Sequence, residues 1–189
     1  MEPIKGALLG TIYQGGEDID VRRRAVESIA FLSEPGINEI IEAAYYDDDE
    51  KMRISAIFAM GRNADKAWHP RVLDELDNEN SEIRFEAARA CGELEISEAV
   101  PKLIMMIDEA DDAEVQQMCV WALGRIGGQT AREALEACTE SDNEALALAA
   151  EESLEELSLF TDELDMFDFD DVADDVADDL DELDEFYLS

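Results

Sequence analysis

Lysine and arginine stop at position 132. Residues 133–189 carry 23 acidic side chains and no basic one, whereas residues 1–132 hold 27 acids and all 14 bases. The whole chain bears a net charge of -36. A chain this negative is excluded from direct, phosphate-mediated binding of nucleic acid, which needs clustered Lys and Arg. It is equally unsuited to anionic membranes. Basic protein partners fit it better. Lysine is scarce throughout, with four residues, as in a salt-adapted acidic proteome. The concentration of charge at one end goes beyond that explanation and marks a body with an acidic tail.

Other absences narrow the chemistry. His69 is the single histidine, and it precedes Pro70 at an expected helix start, where a capping or surface role outweighs general-base catalysis. Cys91, Cys119 and Cys138 are odd in number and lack CxxC spacing, so we expect reduced thiols in a cytoplasmic protein, with no disulfide framework. There is no Gly-rich phosphate loop, no serine elbow and no metal-ligand spacing; Gly124–Gly128 reads as a helix-ending turn. The Asp47-Asp48-Asp49 turn lacks the spacing of a calcium loop and reads as helix-cap material. Neither a metal nor a cofactor is expected. No apolar run approaches a membrane span, and the first residues, MEPIKGALLGTIYQ, do not read as a signal peptide.

What is present is a repeat. EKMRISAIFAMGR from Glu50, SEIRFEAARACGE from Ser81 and AEVQQMCVWALGR from Ala113 align, with looser copies from Ile19 and Glu144. The apolar residue opening each copy falls at Val21, Met52, Ile83, Val115 and Leu146, in steps of 31, 31, 32 and 31. Apolar residues within each copy recur at helical spacing, polar turns precede them, and a second helical pattern precedes each turn. Each unit is helix, turn, helix, and no strand pattern competes. Ser28, Ala59, Ala90, Ala122 and Ser153 form an all-small column that lets neighbouring helices approach closely, as do Ala25, Ala56, Ala87, Cys119 and Ala150. Gly61, Gly92 and Gly124 are expected to close the second helices.

The pattern of polar turn, apolar residue plus Arg, small residues and L/M-G-R, as in DDDEKMRISAIFAMGR, resembles the short prokaryotic HEAT repeats. It is similar in particular to the HEAT-like repeat named after phycobilisome lyases. The resemblance covers roughly residues 1–158. It implies an all-α, right-handed solenoid of about five repeats acting as a protein-interaction scaffold, since only some relatives attach bilin pigments. We therefore expect a repeat array over 1–160, with second helices near 20–32, 51–62, 82–93, 114–125 and 145–158, followed by an acidic tail over 161–189. A bilin lyase, or a subunit of one, is the alternative.

In a solenoid, columns alike in every unit build the core and columns that vary build the recognition surface. Two varying columns supply Arg23, Ile54, Phe85 and Gln117, and Phe58, Arg89 and Trp121. With second helices lining the concave face, these seven form the expected partner-binding groove, with aromatics and arginines as its anchors. Arg62 and Arg125 would extend a basic strip, which Glu27, Glu86 and Glu93 dilute. The Arg22, Arg53 and Arg84 column is expected to be structural, pairing with turn acids.

The tail has its own pattern. Val172, Val176, Leu180, Leu183 and Tyr187 follow at steps of 4, 4, 3 and 4, with Phe167, Phe169 and Phe186 alongside. Such spacing suits an amphipathic helix formed on contact with a partner, though acidic runs of this kind also exist as solvated coil. Two roles are open: a lid over the protein's own groove, or a recruiting element for a basic partner. The groove itself would suit a protein partner that is basic, or an acidic, amphipathic peptide.

Overall fold

Five side chains recur with the repeat and decide where its second helices begin. Asp18, Asp49, Asn80, Asp112 and Asn143 each accept a hydrogen bond from the backbone N–H two residues on, at 2.9, 2.9, 2.8, 2.9 and 3.1 Å. A short side-chain oxygen here satisfies a donor that the first helical turn cannot, and an acid also favours the positive end of the helix dipole. The computed structural model describes residue 6 and residues 9–12, 18–32 and 35–165.

The helices are α1 (Ile19–Ile29), α2 (Ile37–Tyr45), α3 (Glu50–Asn63), α4 (His69–Glu75), α5 (Ser81–Glu93), α6 (Val100–Glu109), α7 (Ala113–Ile126), α8 (Gln129–Thr139) and α9 (Glu144–Asp165). No strand occurs among the described residues. The architecture is an all-α solenoid of helix pairs. First helices α4 and α6 each follow a short 3-10 turn and carry proline in their opening positions, where a missing N–H costs nothing. The chain divides into two compact units, Met1–Leu154 and Glu155–Ser189, and the packing below lies within the first.

Each second helix packs on the next, α1 on α3, α3 on α5 and α5 on α7, while α2, α4 and α6 pack on their own partners α3, α5 and α7. The small columns make that succession possible. Ala56, Ala87, Cys119 and Ala150 are all fully buried, as are Ala59, Ala90 and Ala122. Larger side chains such as Ile57, Ile83, Leu103 and Leu123 fill the space between pairs, each contributing about 1.5–3 kcal/mol of apolar burial.

The glycines correct an expectation. Gly61, Gly92 and Gly124 lie in the last turns of α3, α5 and α7, but they keep helical backbone and are not the residues that stop these helices. A methyl group on Gly61 would meet the Ala90 Cα at 3.0 Å, one on Gly92 the Ala122 Cα at 3.0 Å, and one on Gly124 the Ser153 Cβ at 2.8 Å. Glycine is there because the next second helix occupies the side-chain space. Left-handed residues stop the helices instead: Ala64 after α3 (φ 58°) and Glu95 after α5 (φ 51°).

The Arg22, Arg53 and Arg84 column is structural, as expected, but by two routes. Arg22 bonds Asp47 at 2.6 Å and Arg53 bonds Glu75 at 3.0 Å, tying one unit to the next. Arg84 instead donates to its own turn, to the carbonyls of Asn78 and Glu79 at 2.8 and 2.9 Å. Gln116 takes the same place in the following unit, donating to the carbonyls of Ile107 and Ala110.

Candidate functional site: the second-helix face

The expected groove residues sit on α1, α3, α5 and α7, and the structure brings some together while spending others on packing. Phe58 on α3 is half-buried, with the Arg89 guanidinium 4.3 Å from its ring centre and that of Arg62 5.7 Å away. Both arginines are held in place. Arg89 bonds Glu86 at 2.7 Å and Glu93 at 2.5 Å and donates to the Phe58 carbonyl at 3.2 Å. Arg62 lies 3.1 Å from the same Glu93. Charge-assisted pairs in a partly dry setting are rigid as well as strong.

One helix earlier, Arg23 donates to Ser55 Oγ at 2.9 Å, and Ser55 donates to Glu27 at 2.8 Å. Ser55 is only 1% exposed, so α1 and α3 share a buried polar relay. Two adjoining hollows open on this face. One, of about 530 Å3, lies among Asp20, Arg23, Arg24, Glu27, Phe58 and Glu86. The other, of about 200 Å3, has Arg23, Ile54, Phe85 and Glu86 in its wall, together with the acids Glu82, Asp112 and Glu114. Arg23 and Glu86 are common to both.

Several expectations change here. Ile54, expected at the groove surface, is 7% exposed and belongs to the core, because α5 stacks over it. Arg89, expected as a free groove cation, is a buried ion-paired residue with 9% exposure. Trp121 is half-buried, and its ring Cζ3 lies where a Gly92 side chain would be, 2.7 Å from that Cβ position, so it fills an inter-helix gap. Gln117 is exposed on α7, outside the lining of either hollow. The basic strip is neutralised in place: Glu86 and Glu93 answer Arg89 and Arg62, and acids outnumber arginines around both hollows.

Ser55 has no place in the sequence reading, and Glu86 enters it only as an acid diluting the basic strip. Arg24, Ser55, Glu86, Met118 and Ala149 form a third varying column, and that variation was the available signal. Burial pushes the Glu86 carboxyl above its ordinary range, and the charges of Glu93 and Glu27 add to that, against the opposing Arg89 guanidinium. Larger hollows of about 790 and 700 Å3 open at turn-bearing edges of the array. Their linings include Asp65, which caps a turn and bonds Asn38, and Glu75, which is engaged by Arg53, Tyr45 and Asn78. Burial, the hydrogen bond to Glu75 and the charge of Glu75 push Tyr45 up to about 12. These groups are committed to structure.

Among the described residues no three His, Cys, Asp or Glu side chains are grouped as for a metal ion, and no helix is long and apolar enough to cross a membrane. The tail residues Phe167, Phe169, Val172, Val176, Leu180, Leu183, Phe186 and Tyr187 lie outside the described residues.

Comparison with known proteins then decides the family. A model of HEAT repeats matches residues 37–115 and 69–155. The chain belongs to the HEAT-repeat family. It is 28% identical over 130 residues to a deoxyhypusine hydroxylase of Candida albicans, covering 68% of this chain and 38% of that protein. It is 29% identical over 136 residues to a HEAT repeat-containing taxis protein of Halobacterium salinarum, covering 61% and 33%. The chain thus spans well under half of these relatives. In structure it is similar to the complex of CpcE and CpcF of phycocyanin lyase from Nostoc sp. PCC7120, with a TM-score of 0.66, 18% identity, and 82% and 65% of the two chains covered. That likeness is one of fold.

Proposed function

We propose that this HEAT-repeat array is a non-enzymatic scaffold that receives a segment of another protein on its second-helix face. The carrying observation is Phe58: a half-buried ring at the wall of an open hollow, gripped by Arg62 and Arg89, which are themselves fixed by Glu86 and Glu93. Preorganised aromatic and arginine side chains are what interface hot spots are made of, because little entropy remains to be lost on binding. Phe85 adds a second half-buried ring in the neighbouring hollow. The acidic tail serves as a second contact for the same partner, since its charge opposes docking on a face that is itself rich in carboxylates. Three free cysteines support placing the protein in the reducing cytoplasm.

The test is capture of partners from source-cell lysate by the full chain, by Phe85→Asp and by a chain ending at Phe160. A partner retained by the full chain and lost with Phe85→Asp supports the reading. Loss only on truncation, with Phe85→Asp unaffected, assigns recognition to the tail and overturns the groove. The fold likeness to CpcE and CpcF favours a second reading, a bilin lyase or lyase subunit. Pigment transfer to an acceptor protein by the purified chain would establish it.

A further inference from the structure

The two hollows of the second-helix face are walled by phenylalanines and rimmed by acids. Asp20, Glu27 and Glu86 surround the one beside Phe58; Glu82, Asp112 and Glu114 join Glu86 around the one beside Phe85. Against these six carboxylates stand Arg23 and Arg24. Arg23 is already engaged, 3.6 Å from Asp20 and bonded through Ser55 to Glu27. Arg89 lies beneath, and its charge is answered by Glu86 and Glu93. Negative charge is therefore in excess across an open surface that also offers aromatic faces.

We infer that the segment received here is basic, and that it lays a Lys or Arg side chain between Glu86 and Glu27 with an apolar side chain against Phe85. This rests on the protein-binding reading above and names its partner's chemistry. Charge and shape act together. A long cationic side chain lays its methylene stem along a ring and its head against carboxylates, whereas an acidic segment would meet like charge at both hollows. Glu86 gains most from the arrival of a cation. It is 17% exposed, has Arg89 as its ion-pair partner, and feels both Glu27 and Glu93.

A short fluorescein-labelled peptide of Arg, Lys and Leu serves as the probe, titrated into the full chain at physiological salt, with a Glu and Leu peptide as its opposite. Glu86→Gln combined with Asp112→Asn removes two charges from the face while keeping the hydrogen-bond acceptor to Arg89 and the α7 cap. Asp48→Asn combined with Asp74→Asn removes two exposed charges elsewhere and controls for general attraction to an acidic chain. Circular dichroism confirms that both variants fold. We expect roughly tenfold weaker binding for the face variant and less than twofold for the control, with no binding of the acidic peptide. Equal weakening by both variants, or binding of the acidic peptide, overturns the inference. If groove-dependent capture succeeds while the basic peptide ignores the face variant, the scaffold reading stands and only the basic partner falls.

Discussion

The guanidinium of Arg89 lies over the ring of Phe58, 4.3 Å from its centre, and donates to the Phe58 carbonyl at 3.2 Å. A single side chain of α5 thereby holds both ring and backbone of α3, and Glu86 and Glu93 hold the guanidinium in turn. Arg89→Met leaves part-buried Glu86 without its ion-pair partner and Glu93 with Arg62 alone, and should cost about 3 kcal/mol in urea unfolding. Arg89→Lys should recover only part of this, because an ammonium cannot fork to two acids and a carbonyl together. A double-mutant cycle with Phe58→Leu should return a coupling of about 0.5–2 kcal/mol. Additive effects would show that the contact is idle.

Gly92 sits in the last turn of α5, where alanine would ordinarily gain at most about 1 kcal/mol in helix propensity. Its Cβ would lie 2.7 Å from Trp121 Cζ3 and 3.0 Å from the Ala122 Cα. Overpacking against backbone outweighs propensity, so Gly92→Ala should lower stability by about 1–3 kcal/mol. Adding Trp121→Leu should restore part of it by freeing the ring's space, a recovery readable from the shift in denaturation midpoint.

The end of α5 is a Schellman motif. Ile96 N–H donates to the Cys91 carbonyl at 3.0 Å and Glu95 N–H to that of Gly92 at 3.2 Å, with Ile96 buried beneath. Glu95 occupies the left-handed position at φ 51°. Glycine carries no Cβ penalty there, so Glu95→Gly should raise stability by about 0.5–1 kcal/mol with a matching rise in melting temperature. No change would mean that the local backbone is not strained.

Glu86 should make stability fall as pH rises. Burial, with Glu93 and Glu27 nearby, lifts its carboxyl above the ordinary 4.5 despite Arg89. Between that value and its folded one, the native chain holds the proton more tightly than the unfolded chain does. The contribution is full below the ordinary value and is lost as pH rises through the folded one. Glu86→Gln should flatten the stability profile over that window, as followed by urea unfolding at stepped pH. An unchanged slope would relieve Glu86 of the role.

Thiol reactivity should separate the three cysteines. Burial pushes Cys91 and Cys119 up to about 12, and both are fully buried among packed helices. Cys138 on α8 is half-buried, also raised by burial but open to a hollow. Maleimide should modify Cys138 alone in the native protein and reach the other two only on unfolding, as read by mass spectrometry.

The solenoid was legible because one period governed five copies, so the alanine columns and the polar turns announced core and caps together. The face was less legible, for reasons of packing. Ile54 reads as an outward position on an isolated helix, and only the stacking of α5 buries it. Gly92 reads as a helix end, yet its meaning comes from Trp121 on the next helix. The arginines read as a basic strip diluted by Glu27, Glu86 and Glu93, and the sequence does not tell which glutamate answers which arginine. Glu93 lies four residues from Arg89 and reaches Arg62 of the preceding second helix, a pairing set by the offset between stacked helices.

Photo-crosslinking tests directly which face of the array meets a partner. A benzophenone amino acid placed at Phe85, or at exposed Met105 on the first-helix face, is expressed in the source cells and irradiated. Discrete adducts to one protein from position 85, absent from position 105, are the predicted result. Adducts from position 105 with none from position 85 would place recognition on the opposite face and contradict the account.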